Sequence, residues 1–222
     1  MTRLSLGRPR PLSFQAKLSY CVNHFEGIRF NNPFQGSFEH RQLQFDIAKF
    51  RLHRWGEAVT QYQNDHTISE SDPNSQIALA TLDGLLGAFD AIKMTAKRRE
   101  FHITRGTPLT LKDHLHKDLH DWFMKVTTRT PTQHSTTGNQ MCTLYQDSDA
   151  KRLLVDITTL IEELEQLFPV DKISLKLAQS AIDTIGNQPD TFRLLGSTAA
   201  GTDEVLGEAV RGKLGYFSGR NH

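Results

Sequence analysis

The segment from Ser37 to about Tyr62 carries two adjoining apolar stripes at the spacing of an α-helix. One stripe consists of Leu43, Ile47 and Phe50, and the other consists of Phe45, Ala48, Leu52, Trp55 and Val59. A helix on a protein surface needs a single stripe, because its opposite face meets water. The doubled stripe therefore predicts a long helix that other helices bury on two sides.

Spacings of three and four residues recur along most of the chain, and no alternating apolar and polar segment predicts a sheet. We expect a first helix from Phe14 to Ile28 that stops near Pro33. Further helices are expected over residues 73–99, 111–126, 147–168 and 172–185, with one or two short ones after Pro189. A short connection makes the 147–168 and 172–185 helices antiparallel neighbours. The predicted fold class is all-α, a single-domain bundle of about eight helices with no sheet of consequence.

Composition divides the chain into a domain and two ends. Residues 1–12 are basic and contain two prolines, which predicts a poorly ordered N-terminal segment. A helical domain is expected over residues 13–215, with residues 216–222 as a tail. Residues 127–146 are rich in Thr, Gln, Ser and Asn, which predicts a polar linker inside that domain.

Charge and cysteine content exclude several classes of protein. A net charge of +1 gives no reason to expect a nucleic-acid partner. No uninterrupted apolar run approaches the roughly 20 residues that a membrane-spanning helix needs. Cys21 and Cys142 lie far apart and no glycosylation acceptor occurs, so neither a disulfide framework nor secretion is indicated. We expect a cytoplasmic protein.

No pattern in the chain predicts an enzyme. His116 and His120 stand one helical turn apart, as two metal ligands on a helix would, but no third ligand is identifiable. Residues 207–214 nearly spell a phosphate-binding loop, but Leu214 replaces the Ser or Thr that reaches magnesium. Cys142 falls in the polar linker, where no base is positioned to activate it. We therefore predict no catalytic residue, no metal site and no cofactor.

Four segments in the first third of the chain resemble one family. They read CVNHFE at 21–26, NPF at 32–34, RQLQFDIAK at 41–49 and RLHRWGEAV at 51–59. These segments are similar to the fungal HeLo domain, the prion-inhibition and propagation domain of HET-s and LopB proteins, and a looser likeness continues to residue 222. The resemblance assigns structural motif positions to Asp46, Lys49, Arg51, Arg54, Trp55, Gly56 and Glu57.

The resemblance implies a role in heterokaryon incompatibility and programmed cell death rather than catalysis. Several members of the family carry an amyloid-forming region whose assembly makes the domain expose its N-terminal helix, which then attacks the plasma membrane. A trigger here is expected from a protein partner, either a second copy or a related HeLo or amyloid-signalling protein. The candidate membrane or partner face of the first helix consists of Phe14, Leu18, Val22, Phe25 and Ile28.

The N-terminus departs from the family pattern. Pore-competent relatives begin with a nearly uncharged stretch, whereas residues 1–20 here contain Arg3, Arg8, Arg10 and Lys17. A basic amphipathic helix of this kind is expected to lie on an anionic leaflet, which would bring the protein to the plasma membrane. Two alternatives stay open. The apolar stripe is ordinary core, or the protein is a pore-inactive, soluble and dimeric module that binds or restrains related HeLo proteins.

Overall fold

The computed structural model describes residues 13–30, 35–65, 71–99, 113–128, 143–145, 147–186 and 188–218. Within these ranges the chain forms eight α-helices, and the predicted all-α class is confirmed. The helices are α1 (Phe14–His24), α2 (Gln35–Asp65), α3 (Pro73–Arg99), α4 (His114–Thr127), α5 (Asp147–Glu165), α6 (Asp171–Ile182), α7 (Pro189–Ala199) and α8 (Glu204–Ser218).

Local sequence signals explain where several helices begin. The side chain of Ser13 accepts a hydrogen bond from the Ala16 N–H (3.3 Å), which caps α1. The side chain of Asp113 accepts one from the Leu115 N–H (3.2 Å), which caps α4. Pro73 and Pro189 each occupy the first residue of a helix, where a missing N–H costs nothing.

The first helix is shorter than the sequence predicted. It ends at His24, and a 3-10 turn over Phe25–Gly27 leads into a strand, β1 (Ile28–Phe30). This strand pairs in parallel with β2 (Thr143–Tyr145), with Ile28 opposite Thr143. Periodicity could not detect this arrangement, because Phe25 and Ile28 are buried without continuing the helix. The predicted stop near Pro33 lies outside the described residues.

Helix α2 is the centre of the bundle, and its predicted burial on two sides is confirmed. Its first stripe belongs to a hydrophobic cluster with α4, α6, α7 and α8, which we name the C-terminal core. Its second stripe belongs to a cluster with α1, α3 and α5, which we name the N-terminal core. Two cores therefore share one helix.

The predicted antiparallel pairing of α5 with α6 is wrong. Both helices are fully described, and α6 packs against α2 and α8 instead. Phe168, Pro169 and Val170 separate the two helices, and Phe168 and Val170 are themselves buried. Burial of this connection in the N-terminal core directs α6 away from α5.

The structure bears only partly on the predicted domain limits. Residues 1–12, most of the proposed linker 127–146 and residues 219–222 lie outside the described ranges, so those limits stay predictions. Thr127, expected at the start of the linker, is instead the buried last residue of α4. Among the described helices, none combines the length and the apolar character that a membrane crossing requires.

Candidate functional site

The first helix lies in a seat formed by α2 and α3. Its predicted apolar face is brought together and turned inward: Leu18, Val22, Phe25 and Ile28 are buried in the N-terminal core, and Phe14 is partly buried against it. In this conformation the face packs as core, and its contact with a membrane stays a prediction.

Gly56 gives α1 its close approach to α2. A Cβ atom at this position would overlap Cδ2 of Leu18 and would lie 3.1 Å from its Cγ. Leu18 is only 6% exposed, so its side chain fills a space that a larger residue in α2 would occupy. The motif glycine is thus a steric requirement of the seat.

Trp55 lies beneath the start of α1. Its ring centroid is 5.7 Å from that of Phe14, in an edge-to-face arrangement, and 6.4 Å from that of Phe168. The indole is 1% exposed, and its N–H has no hydrogen-bond partner among the described residues. An unsatisfied buried donor costs about 1–3 kcal/mol, so apolar and aromatic contacts must hold the ring.

The polar contacts of α1 differ between its two ends. Near the start, Gln15 donates to Thr60 (2.6 Å) and the Lys17 ammonium lies 2.8 Å from the Asp83 carboxylate. Asp83 is 61% exposed, and exposed pairs of this kind contribute about 0–1 kcal/mol. Beyond the end of α1, Glu26 accepts a hydrogen bond from Lys49 (3.1 Å), whose side chain is only 4% exposed. The C-terminal end is therefore held by the more deeply buried pair.

Asp46 and Lys49 lie beside a small polar cavity between the 3-10 turn, α2 and α4. The cavity measures about 140 Å³ and is lined by Phe25, Glu26, Gln42, Phe45, Asp46, Lys49, His120 and Met124. Asp46 accepts a hydrogen bond from Gln42 (3.2 Å) and lies 2.7 Å from Nδ1 of His120. These two motif residues thus connect the segment after α1 to α4.

Arg54 forms a buried ion pair that joins distant parts of the chain. Its guanidinium donates to both carboxylate oxygens of Asp203, at 2.7 and 2.8 Å, and its Nε donates to Ser174 (2.9 Å). Both side chains of the ion pair are 1% exposed. Bidentate pairing of this kind fixes geometry as well as charge. It connects α2 to α6 and to the turn before α8.

Arg51 makes a second connection from α2. Its guanidinium donates to both oxygens of Glu165, at 3.0 and 2.5 Å, and to the carbonyl of Thr202 (2.7 Å). Burial by itself lowers the pKa of Arg51, but the hydrogen bond and charge of Glu165 outweigh it, so the pKa is raised. Glu57, the remaining motif residue, is exposed, and its Oε2 lies 3.8 Å from Nδ1 of His53.

The two histidines considered as metal ligands face different partners. Nδ1 of His116 lies 2.6 Å from Oδ2 of Asp113, and Nδ1 of His120 lies 2.7 Å from Oδ2 of Asp46. A different set, Glu39, Asp113 and His116, places its ligand atoms within 4.8 Å of one another. The hydrogen bond to His116 is the main reason that the pKa of Asp113 is lowered, and Glu39 accepts from the Asp113 N–H (3.2 Å). These contacts close the first turn of α4.

Sequence reasoning missed the partners of the two arginines. Glu165, Ser174 and Asp203 lie more than 110 residues from the arginines that they bind. A motif arginine flanked by apolar positions signals that some carboxylate must pair with it, because an unpaired buried charge is costly. That signal identifies the type of partner but not its position in the chain.

A family model described as "HeLo: Prion-inhibition and propagation" matches residues 12–194. This chain belongs to the HeLo family. It is 28% identical over 211 residues to heterokaryon incompatibility protein s of Podospora anserina, a match that covers 90% of this chain and 71% of that protein. Heterokaryon incompatibility protein S of the same fungus is also 28% identical, over 208 residues, with the same coverage.

Solved structures of HeLo relatives have the same fold. The HET-s N-terminal domain superposes with a TM-score of 0.81 at 26% identity, covering 94% of this chain and all of that one. A double mutant of that domain gives a TM-score of 0.80 at 25% identity over 90% of this chain. The HeLo fold predicted from the motif segments is confirmed, and the family is one of incompatibility proteins rather than enzymes.

Proposed function

We propose that this protein acts in fungal heterokaryon incompatibility and programmed cell death by releasing α1 from its seat onto a membrane. The observation that carries this proposal is the seat itself. The apolar face of α1 fills a shaped space above Gly56, while the polar contacts at its N-terminal end are few and partly exposed. A helix held mainly by apolar contacts can exchange one apolar environment for another.

The charge of the N-terminal region favours an anionic membrane. Helix α1 contains Lys17 and no Asp or Glu, and the preceding residues contain Arg3, Arg8 and Arg10. Each basic residue near an anionic surface contributes about 1 kcal/mol of attraction. In this proposal the protein is cytoplasmic and is not an enzyme. It moves to the plasma membrane when it is triggered by a second copy or by a related HeLo or amyloid-signalling protein.

A second function is favoured by the burial of the α1 face. Leu18 and Val22 are 6% and 5% exposed, so the resting chain presents neither to a membrane. In this alternative the protein is a pore-inactive, soluble and dimeric module that binds or restrains related HeLo proteins. The two functions share one fold and differ in whether α1 ever leaves it.

Dye leakage from vesicles separates the two functions. The full chain, with and without mild denaturant, would be added to vesicles of phosphatidylserine and phosphatidylcholine and to vesicles of phosphatidylcholine alone. The variant Gly56→Ala weakens the seat, and Gly87→Ala is the matched control, because a Cβ at position 87 meets nothing within 4 Å. We expect leakage from the anionic vesicles only, at lower denaturant for Gly56→Ala than for Gly87→Ala.

Absence of leakage from every variant would contradict the first function. The second function would then be tested by adding the protein to vesicles that a pore-forming HeLo relative makes leaky. Suppression of that leakage would support a restraining module, and its absence would contradict one.

A further inference from the structure

A groove of about 430 Å³ opens where α5 ends and α6 begins. Leu167, Phe168 and Pro169 supply its apolar surface. Its polar surface is supplied by Glu162, Glu165, Gln166 and Asp171. We name this feature the α5–α6 groove. It combines apolar surface with carboxylates, which suits an occupant that is both apolar and basic.

The charges around the groove are mostly negative. None of the seven residues that line the groove is basic. Of the cations close by, Arg51 pairs with Glu165 through two hydrogen bonds, and Lys172 directly follows Asp171 in the chain. Glu162 lies 3.6 Å from Arg51 and is 57% exposed, so its carboxylate still faces water. Asp171 is exposed and forms no ion pair within the part of the chain that the structure describes. The negative C-terminal end of the α5 dipole and the positive N-terminal end of the α6 dipole meet at this place and oppose each other. The negative character of the groove therefore comes from its carboxylates.

Residues 1–12 have the opposite character. They read MTRLSLGRPRPL, with Arg3, Arg8 and Arg10, no acidic residue and three leucines. The two prolines favour an extended backbone rather than a helix. The family match begins at residue 12, so this basic segment lies almost wholly outside it.

The described chain begins next to the groove. The ring centroids of Phe14 and of Phe168, which lines the groove, lie 5.7 and 6.4 Å from that of Trp55, so the start of α1 and the groove share this indole as a neighbour. An extended chain spans at most about 3.3–3.6 Å per residue, so Arg10, three residues before Ser13, can lie about 10 Å from it. The arginine side chain extends this reach. The segment is therefore long enough to reach the groove.

We propose that residues 1–12 dock in the α5–α6 groove of their own chain, with arginines paired to Glu162 and Asp171 and leucines packed on Leu167 and Phe168. The occupant is chosen by charge complementarity and by the place where the described chain begins. Docking would stabilise the N-terminal end of α1 on the bundle, where the contacts of Gln15 and Lys17 are exposed.

Docking is a property of the folded chain and can be measured without membranes. Its meaning as a restraint on α1 rests on the proposed function. An anionic leaflet and the groove would compete for the same arginines, so membrane contact would itself loosen the segment. The test must therefore read out the position of the segment separately from any leakage.

Paramagnetic relaxation in the full chain provides that readout. A nitroxide would be attached at Ser5→Cys in a background in which Cys142 is replaced by serine. Cys21 can remain, because it is 0% exposed and burial is the main cause that raises its pKa to about 12. We expect loss of amide signal at Gln166, Phe168 and Asp171, and no loss at the exposed Gly212 of α8.

Two variants test the charge pairing. Replacing Arg3, Arg8 and Arg10 with glutamate should restore the groove signals, whereas replacing them with lysine should leave the losses in place. Signal loss elsewhere, no loss, or equal loss in both variants would overturn the proposal. So would losses on an isotope-labelled chain mixed with an unlabelled, spin-labelled one, since these would place the segment on a second copy. Leakage assays on the same variants then test the proposed function independently.

Discussion

Leu18 of α1 packs directly on Gly56 of α2, with no room between them for even one methyl group. The glycine lies inside a long helix, where it has no conformational advantage and costs about 1 kcal/mol relative to alanine. Its presence is explained by the close approach of the two helices. The relationship connects a motif position to the seat of α1.

We expect Gly56→Ala to destabilise the protein despite the better helix propensity of alanine. Overpacking a core costs about 1–3 kcal/mol, which exceeds the gain in propensity when Leu18 cannot move. Urea unfolding would show a lower midpoint for Gly56→Ala and a midpoint at or above wild type for the control Gly87→Ala.

Positions 18 and 56 should also be energetically coupled. Leu18→Ala alone should cost about 2–5 kcal/mol, because it leaves a cavity. In the double variant the new methyl group partly fills that cavity, so the two costs should not add. Simple additivity would show that the two side-chain positions do not meet.

The buried pair of Arg54 and Asp203 should be costly to break from one side. Asp203→Asn leaves the guanidinium without its charge partner, and loss of one member of a buried pair costs about 3–5 kcal/mol. Replacing both residues, as Arg54→Met with Asp203→Asn, should be less damaging than either of these single changes, because no buried charge is left unpaired and the amide oxygen can still accept the Leu206 N–H. Denaturant midpoints of the four proteins would decide, and a double variant worse than both single variants would contradict the interpretation.

Cys21 should make the fold sensitive to alkaline pH. Burial chiefly, with a contribution from Asp83, raises the pKa of its thiol from 9.0 to about 12. The unfolded chain therefore loses this proton at lower pH than the folded chain does. The contribution to stability is present below pH 9 and is lost as the pH rises from 9 towards 12.

The variant Cys21→Ala isolates this effect from the titration of tyrosines and lysines. The difference in unfolding free energy between wild type and variant should shrink between pH 9 and 11. A difference that stays constant over this range would contradict burial of the thiol.

His53 should make the fold sensitive to acidic pH. Burial lowers the pKa of His53 below 6.5, with a further lowering by Lys49 and an opposing effect of Glu57. The unfolded chain binds the proton first as the pH falls, so stability is present above pH 6.5 and is lost below it. We expect His53→Gln to show a shallower loss of stability between pH 7 and pH 5 than wild type, in thermal melts at matched ionic strength.

Much of the architecture could be predicted because it depends on local periodicity. The double stripe of α2 identified its two-sided burial, and Pro73 marked the start of α3 correctly. The end of α1 could not be predicted in this way. Phe25 keeps the helical spacing but is buried from a 3-10 turn, and β1 depends on a partner strand 115 residues further along the chain.

The candidate site likewise has features that the sequence predicts and features that depend on distant residues. The resemblance identified Arg54 and Gly56, but it gave no reason for either residue type. Those reasons are Asp203, 149 residues away, and the side chain of Leu18, both of which become visible only in three dimensions.

The two cores that share α2 determine how the rest of the molecule would fare if α1 departed. Helix α1 contributes side chains only to the N-terminal core, whereas the C-terminal core is built without it. The ion pair of Arg54 and the contacts of Arg51 also join α2 to elements other than α1. A chain that has lost its first helix would thus keep the C-terminal core and these long-range ion pairs and hydrogen bonds. Such a chain would be partly folded, and its remaining helices would stay covalently connected to the released α1.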